Sequence, residues 1–231
     1  MKNLIKALLC LVAFTSLSAH AQSASTNSIY LEQIGDSSTI TLLQKGSGNQ
    51  MGTTVSPFYM NGNQQILNFT QEGNNNSLQG QILSSSVNSN ILNSGNSNLI
   101  KLDMGGSASV SGTSFNMNLV GTSNSFELDQ GTVGASTSAT LTYNLTGDWN
   151  TFKNQIDTNN VVNTFNLTGD HNEIGVSQNG HDGKNIDFTL VGSGNSFNIQ
   201  QKSILNVDSL KIDSISNNGT FTISQCPPLG C

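Results

Sequence analysis

The sequence predicts an all-β fold: a β-solenoid of about eight strand-arc-strand coils whose strands stack parallel and in register. Three observations predict it. First, Gly-x-x-Asn recurs at Gly73–Asn76, Gly95–Asn98, Gly121–Asn124, Gly147–Asn150, Gly169–Asn172 and Gly192–Asn195, with looser copies at Gly35–Ser38 and Ser216–Gly219. Second, successive copies start 38, 22, 26, 26, 22, 23 and 24 residues apart. A period in the twenties marks a solenoid, in which one coil cannot bury its apolar face alone. Third, apolar and polar residues alternate on both sides of each copy, and a period of two belongs to extended strands.

In chain order, Lys2 and Lys6 precede an apolar run from Ala7 to Leu17, followed by Ala19-His20-Ala21. A positive start, a short apolar centre and a small-x-small exit read as a secretory signal peptide, residues 1–21, cut before Gln22. The run is shorter than the ~20 apolar residues a membrane span needs, and no later stretch approaches that length. A short segment, 22–27, leads into the solenoid, 28–225.

Within the solenoid, Ile29, Leu31 and Gln33 precede the first copy, and Ile40, Leu42 and Gln44 follow it. The same spacing gives Phe115, Met117 and Leu119 before Gly121, with Phe126, Leu128 and Gln130 after Asn124. It continues through Ile174, Val176 and Gln178, then Phe197, Ile199 and Gln201, to Phe221, Ile223 and Gln225. Glycine reaches positive φ without penalty and asparagine tolerates the left-handed region, so each Gly-x-x-Asn turns the chain between two strands sharing one inner face. The inner amides Gln33, Gln44, Gln71, Asn93, Gln130, Gln178, Gln201 and Gln225 are expected to form a ladder, each bonding to the coil above and below. A buried amide left without a partner would cost ~1–3 kcal/mol, which favours in-register stacking.

The outer positions carry Lys101, Glu127 and Lys153 on successive coils, an alternation that stacked strands favour by roughly 0.2–1 kcal/mol per pair. Asp148 and Asp170 share a position, so they repel unless they are exposed or hold a cation. Trp149 and His171, at equivalent arc positions, are expected side by side outside the rod. The longest connection, from Lys45 to about Gln65, contains Pro57, Phe58 and Tyr59. It is either an excursion loop or a degenerate extra coil, and its Gly46–Asn49 fits the arc pattern without alternating apolar residues after it.

The formal charge is −6, or −8 once the two lysines of the signal peptide are removed, and there is no arginine. Such a chain is a poor nucleic-acid binder. No catalytic constellation, metal-ligand spacing or cofactor motif stands out. Carboxylates such as Asp103, Glu127 and Asp129 could hydrolyse glycosidic bonds only in a cleft, which a thin rod hardly offers. Thr140/Thr142 and Thr220/Thr222 fall at non-equivalent places, so the repeated Thr-x-Thr column of an ice-binding face is not expected. Cys226 and Cys231 bracket Pro227-Pro228-Leu229-Gly230, and in an exported chain that reads as a small disulfide loop. The prolines cannot donate to a strand ladder, so residues 226–231 are expected to cap the last coil.

Gln33-Ile34-Gly35, Gln44-Lys45-Gly46-Ser47-Gly48-Asn49 and Gln71-Glu72-Gly73-Asn74-Asn75-Asn76 resemble the curlin repeat, Gln-x-Gly-x-x-Asn with a second Gln six residues later. The later Gln is matched at Gln44, Gln130, Gln178 and Gln201, and the resemblance spans nearly the whole chain after the signal peptide. Leu119, Leu145, Leu167 and Leu190 replace the first Gln in four consecutive repeats, as Asn93 does in another, so the chain resembles a divergent curlin. The resemblance implies an exported β-solenoid subunit of functional amyloid fibres on the bacterial surface and in biofilm matrix. It also implies self-assembly, alone or with other curlin-like subunits, after passage through an outer-membrane pore. The Tyr30–Gln33 edge would be left unpaired at one end to template growth. The alternative expectation is a monomeric secreted rod that binds a glycan or a surface.

Overall fold

The computed structural model describes residues 16–22, 27–29, 31–46, 48–53, 58–73, 75–95, 98–104, 111–130, 136–179, 183–202 and 208–226. Alternating apolar and polar side chains hold these segments in strands, and no helix occurs among the described residues. The strands are β1 (Ser16–Gln22), β2 (Asn27–Ile29), β3 (Glu32–Ile34), β4 (Thr39–Lys45), β5 (Asn49–Met51), β6 (Phe58–Gly62) and β7 (Gln65–Glu72). Then come β8 (Ser77–Ser84), β9 (Val87–Ser94), β10 (Leu99–Met104), β11 (Ser111–Val120), β12 (Ser125–Gln130) and β13 (Ser136–Thr146). The last are β14 (Thr151–Thr168), β15 (Glu173–Asn179), β16 (Lys184–Val191), β17 (Ser196–Lys202), β18 (Ser209–Ile215) and β19 (Thr220–Cys226).

They build two walls of parallel, in-register strands. Sheet A stacks β1, β4, β7, β9, β11, β13, the second half of β14, β16 and β18. Sheet B stacks β2 with β3, β5 with β6, then β8, β10, β12, the first half of β14, β15, β17 and β19. The chain crosses from A to B at the Gly-x-x-Asn arcs and returns from B to A on the opposite edge. β14 makes its return within one unbroken strand of 18 residues, bending where Asn160 takes φ 54°.

The predicted β-solenoid is therefore present, with a small difference in count. Eight arcs share one edge, beginning with Gly46 and ending with Ser216, so the rod makes about seven turns. At ~4.8 Å per turn it is ~34 Å long. Gly46, not Gly35, heads this column: its N–H donates to the Glu72 carbonyl at 3.1 Å. Gly35 lies on the return edge, where its N–H donates to the Asn61 carbonyl at 2.9 Å. The Lys45–Gln65 connection is thus an extra coil, built from β5 and β6, and the anomalous 38-residue spacing disappears. β1 overlaps the expected signal peptide, and cleavage before Gln22 would remove all of it but Gln22 and leave β4 first in sheet A.

Apolar residues of both walls fill the interior. Aromatic rings stack along each wall at the strand spacing: Tyr143 on Phe165 (4.8 Å) and Phe165 on Phe188 (4.4 Å) in sheet A, Phe126 on Phe152 (4.7 Å) in sheet B. Between the walls they meet edge to face, as Phe152 does Phe165 at 88°. Burial pushes the Tyr143 phenol well above its ordinary pKa, and Asn154, itself buried in sheet B, donates to its oxygen. Lys184 and Asn163 also stand inside. Lys184 is fully buried, with Asp208 at 3.8 Å. Asn163 is fully buried between Leu141 and Ile186 of the neighbouring coils, and neither end of its amide is hydrogen-bonded among the described residues.

An unsatisfied buried amide costs ~1–3 kcal/mol, and leucine has nearly its shape. Asn163→Leu is expected to stabilise the rod by that order, read as a higher midpoint in urea unfolding. An unchanged or lower midpoint would mean that the amide is satisfied.

Candidate functional site

The arcs form the most regular feature of the molecule. The six arcs from Gly73 to Gly192 begin with a glycine at φ 129–147°, and the third residue lies in the left-handed region at Ser123 (φ 57°), Trp149 (φ 59°) and His171 (φ 55°). The glycines stack so closely that a Cβ on Gly147 would lie 1.9 Å from the Gly121 carbonyl oxygen, and one on Gly95 1.6 Å from that of Gly73. Glycine is required by this contact as well as by φ.

The close approach sets up a spine of asparagines. The main-chain N–H of Asn76 donates to Asn98 Oδ1 (3.0 Å), Asn98 to Asn124 (2.8 Å), Asn124 to Asn150 (2.9 Å), Asn150 to Asn172 (2.7 Å) and Asn172 to Asn195 (2.7 Å). Asn76 and Asn195 also use Nδ2 on glycine carbonyls, at Gly73 (3.2 Å) and Gly169 (2.9 Å). All six are buried. In the last coil Gly219 occupies the asparagine position, so the spine stops there.

The inner ladder differs from the single column expected. Gln71 donates to Gln44 (3.0 Å) and Asn93 to Gln71 (2.9 Å) in sheet A. Gln201 donates to Gln178 (3.2 Å) and Gln225 to Gln201 (2.8 Å) in sheet B. These are two three-membered ladders, on opposite walls and toward opposite ends. Leu119, Leu145, Leu167 and Leu190 continue the first column, and Ile156 interrupts the second. Gln130 stands beyond Ile156 and donates to Thr113 Oγ1 (3.1 Å), while Gln33 donates to Ser38 Oγ (2.9 Å). Period-two alternation says that a residue faces inward but not which wall it belongs to.

Outside, Lys101 pairs with Glu127 at 3.0 Å, as the column predicts, and Lys45 with Glu72 at 3.2 Å. The Trp149 and His171 rings lie parallel, 4.4 Å apart, with Trp149 63% exposed. Asp148 and Asp170 each accept a main-chain N–H from the next coil: Asp148 Oδ1 that of Asp170 (2.7 Å) and Asp170 Oδ1 that of Ser193 (2.5 Å). Among the described residues no cluster of three or more metal-ligating side chains forms. Thr140 and Thr142 lie in sheet A and Thr220 and Thr222 in sheet B, at non-equivalent places as expected, although Thr142 with Thr164 and Thr146 with Thr168 share columns of sheet A. Asp103, Glu127 and Asp129 lie on the outer face of sheet B beside open hollows of about 330 and 400 Å3. Cys226 is disulfide-bonded; Cys231 and the rest of the tail lie outside the described residues, as do His181 and Asp182.

Among the described residues, sheet B ends on a strand with a single neighbour at each end of the rod. In the last coil Phe221 and Ile223 are 37% and 45% exposed, whereas Phe197 and Ile199, one coil inward in the same columns, are at most 1% exposed. At the other end β2 and β3 pair in sheet B only with β5 and β6. Sequence reasoning missed Lys184, Asn154 and Asn163 as interior groups. Counting back by two from Ile186 places Lys184 inward, so the signal was present. No protein-family model, curated protein or solved structure matches this chain.

Two outcomes follow for the site. Asn124→Ala leaves the buried Asn98 N–H without its acceptor and is expected to cost ~1–3 kcal/mol in urea unfolding. Asn76→Ala, whose Oδ1 accepts nothing among the described residues, should cost less. Desolvation first, then the charges of Glu127, Asp103 and Asp157, raises the Asp129 carboxyl above its ordinary value, against the pull of Lys101. The folded state then holds that proton more tightly than the unfolded chain. Its contribution to stability is present below the unfolded pKa and lost as pH rises through the folded one. Asp129→Asn should therefore raise the unfolding midpoint at neutral pH and reduce the stability gained on mild acidification.

Proposed function

We propose that this chain is an exported structural protein that self-assembles, a curli-like amyloid fibre subunit or a minor or terminating component of such a fibre, serving surface adhesion and biofilm matrix. The observation that carries the reading is the open terminal coil. Phe221, Ile223 and Gln225 are inward-column residues left at the surface, on a strand that among the described residues pairs only with β17. An edge of this kind is a template for a further strand.

The opposite end supplies a matching strand. Following the pairings down sheet B, Ile29 occupies the same column as Phe221, and Gln33 the same column as Gln225. Head-to-tail stacking would set Ile29 on Phe221 and extend the Gln178–Gln201–Gln225 ladder with Gln33 of the next copy. Export rests on the signal-like N-terminus, and the curlin resemblance adds the class of fibre. The exposed Trp149 on His171 favours a second reading, a monomeric rod binding a glycan or a surface through that platform.

The chain from Gln22 onward, purified and held at micromolar concentration, is expected to form thioflavin-T-positive fibres that seed fresh monomer. Ile223→Lys, which places a charge on the open end, should abolish elongation while leaving the circular dichroism of the monomer unchanged. A wild-type chain that stays monomeric and cannot be seeded would sink the fibre reading and leave the binding rod.

A further inference from the structure

The same coils build two outer faces of different chemistry. On sheet B the outward residues of β10, β12 and the first half of β14 include Lys101, Asp103, Glu127, Asp129 and Lys153. On sheet A the sixteen outward positions that align in four columns, within 88–94 of β9, 114–120 of β11, 140–146 of β13 and 162–168 of β14, hold only Asn, Thr, Ser, Val and Leu. None is charged, and none is glycine or proline. Leu92, Val120 and Val162 are about 40% exposed on this face.

The face is also ordered in advance. Asn144 donates to Asn118 (2.7 Å) and Asn166 to Asn144 (2.8 Å), so these amides bond along their own column. The threonines beside them have stiff, β-branched side chains, and little rotamer entropy remains to be lost on contact.

We propose that the outer face of sheet A is a self-association surface that packs against the same face of a second copy about a two-fold axis, the two sheets ~10 Å apart. Two arguments select a second copy as the occupant. A face with the strand repeat is matched along its length by a face with the same repeat, and this chain carries one. Each copy has a formal charge of −6, so approach is least opposed where no carboxylate must be buried. The area is that of a weak, reversible contact: the four uncharged strands from β9 to the second half of β14 at ~4.8 Å, each ~7 residues of ~3.3 Å, give about 440 Å2, roughly half the ~800 Å2 per partner of a standard interface, and Glu72 of β7 and Asp187 of β16 bound the face on either side. Dry, interdigitating pairing of uncharged β-faces is a known mode of sheet association. The contact lies along the side of the rod and does not depend on growth at its ends.

The test uses the Ile223→Lys chain, so that end-to-end growth is excluded from the measurement, with sedimentation velocity over a concentration series. A dimer is expected. Adding Thr142→Lys and Thr164→Lys sets like charges face to face and should weaken association on the order of 100-fold. Adding Gln155→Lys and Ser177→Lys on sheet B instead should leave the dimer intact, and unchanged circular dichroism certifies each fold. A monomer at every concentration, or a dimer that survives the sheet A lysines, overturns the proposal. Neither result bears on fibre growth by the Ile223 chain, which is read separately by seeding.

Discussion

Registry in this rod depends on one hydrogen bond repeated down one edge, from the main-chain N–H of an arc asparagine to the side-chain oxygen of the next. The bond works because the asparagine side chain is short enough to lie beneath its own arc and carries an acceptor at the right depth. It also requires that arcs approach to the strand spacing, which the glycine column permits. A slip of one residue would bury a donor against a side chain with nothing to accept it, and would turn the apolar face of that strand outward. The stacked rings and leucines supply most of the buried area, but they would tolerate small displacements that the amide geometry does not.

The interior divides along its length. Amide ladders lie toward the two ends, Gln44–Gln71–Asn93 near the first coils and Gln178–Gln201–Gln225 near the last, while the middle is apolar and aromatic. Solenoid coils contact only their neighbours, so stability is close to a sum of local terms. Hydrogen-bonded amides can accept another copy or tolerate water at an end, and at the last coil they stand beside the Phe197–Phe221 ring pair, which supplies apolar contact but no direction. This arrangement places directional contacts where the rod meets its surroundings.

The coil, its strands and its inward columns were legible in the sequence because each rests on a short-range pattern. The edge on which an arc lies was not. Gly35 and Ser37 take φ 141° and 56°, nearly the values of Gly73 and Asn75 at 129° and 57°. Local geometry is therefore the same on both edges, and only the partners beyond, Asn61 for Gly35 and Glu72 for Gly46, distinguish them. The same limit split the expected amide column, since alternation gives facing without naming the wall. For Asp148 and Asp170 the sequence shows charge against charge but not the main-chain N–H that each carboxylate accepts from the next coil.

The coil that contains β14 needs no separate return segment, and the arcs at Gly147 and Gly169 are 22 residues apart. That is the shortest circuit in the chain, shared with the one from Gly73 to Gly95. In the two circuits of 26, from Gly95 to Gly121 and from Gly121 to Gly147, residues 105–110 and 131–135 lie between the strands of the return edge. One border of this tape is thus held to measure by the glycine and asparagine columns, while the other can be let out without disturbing the pitch. Met104 pairs with Gln130 and Ser111 with Thr137, so the residues that flank the two longer returns stand one above the other at the rise of the coils, on a scaffold whose registry is fixed elsewhere.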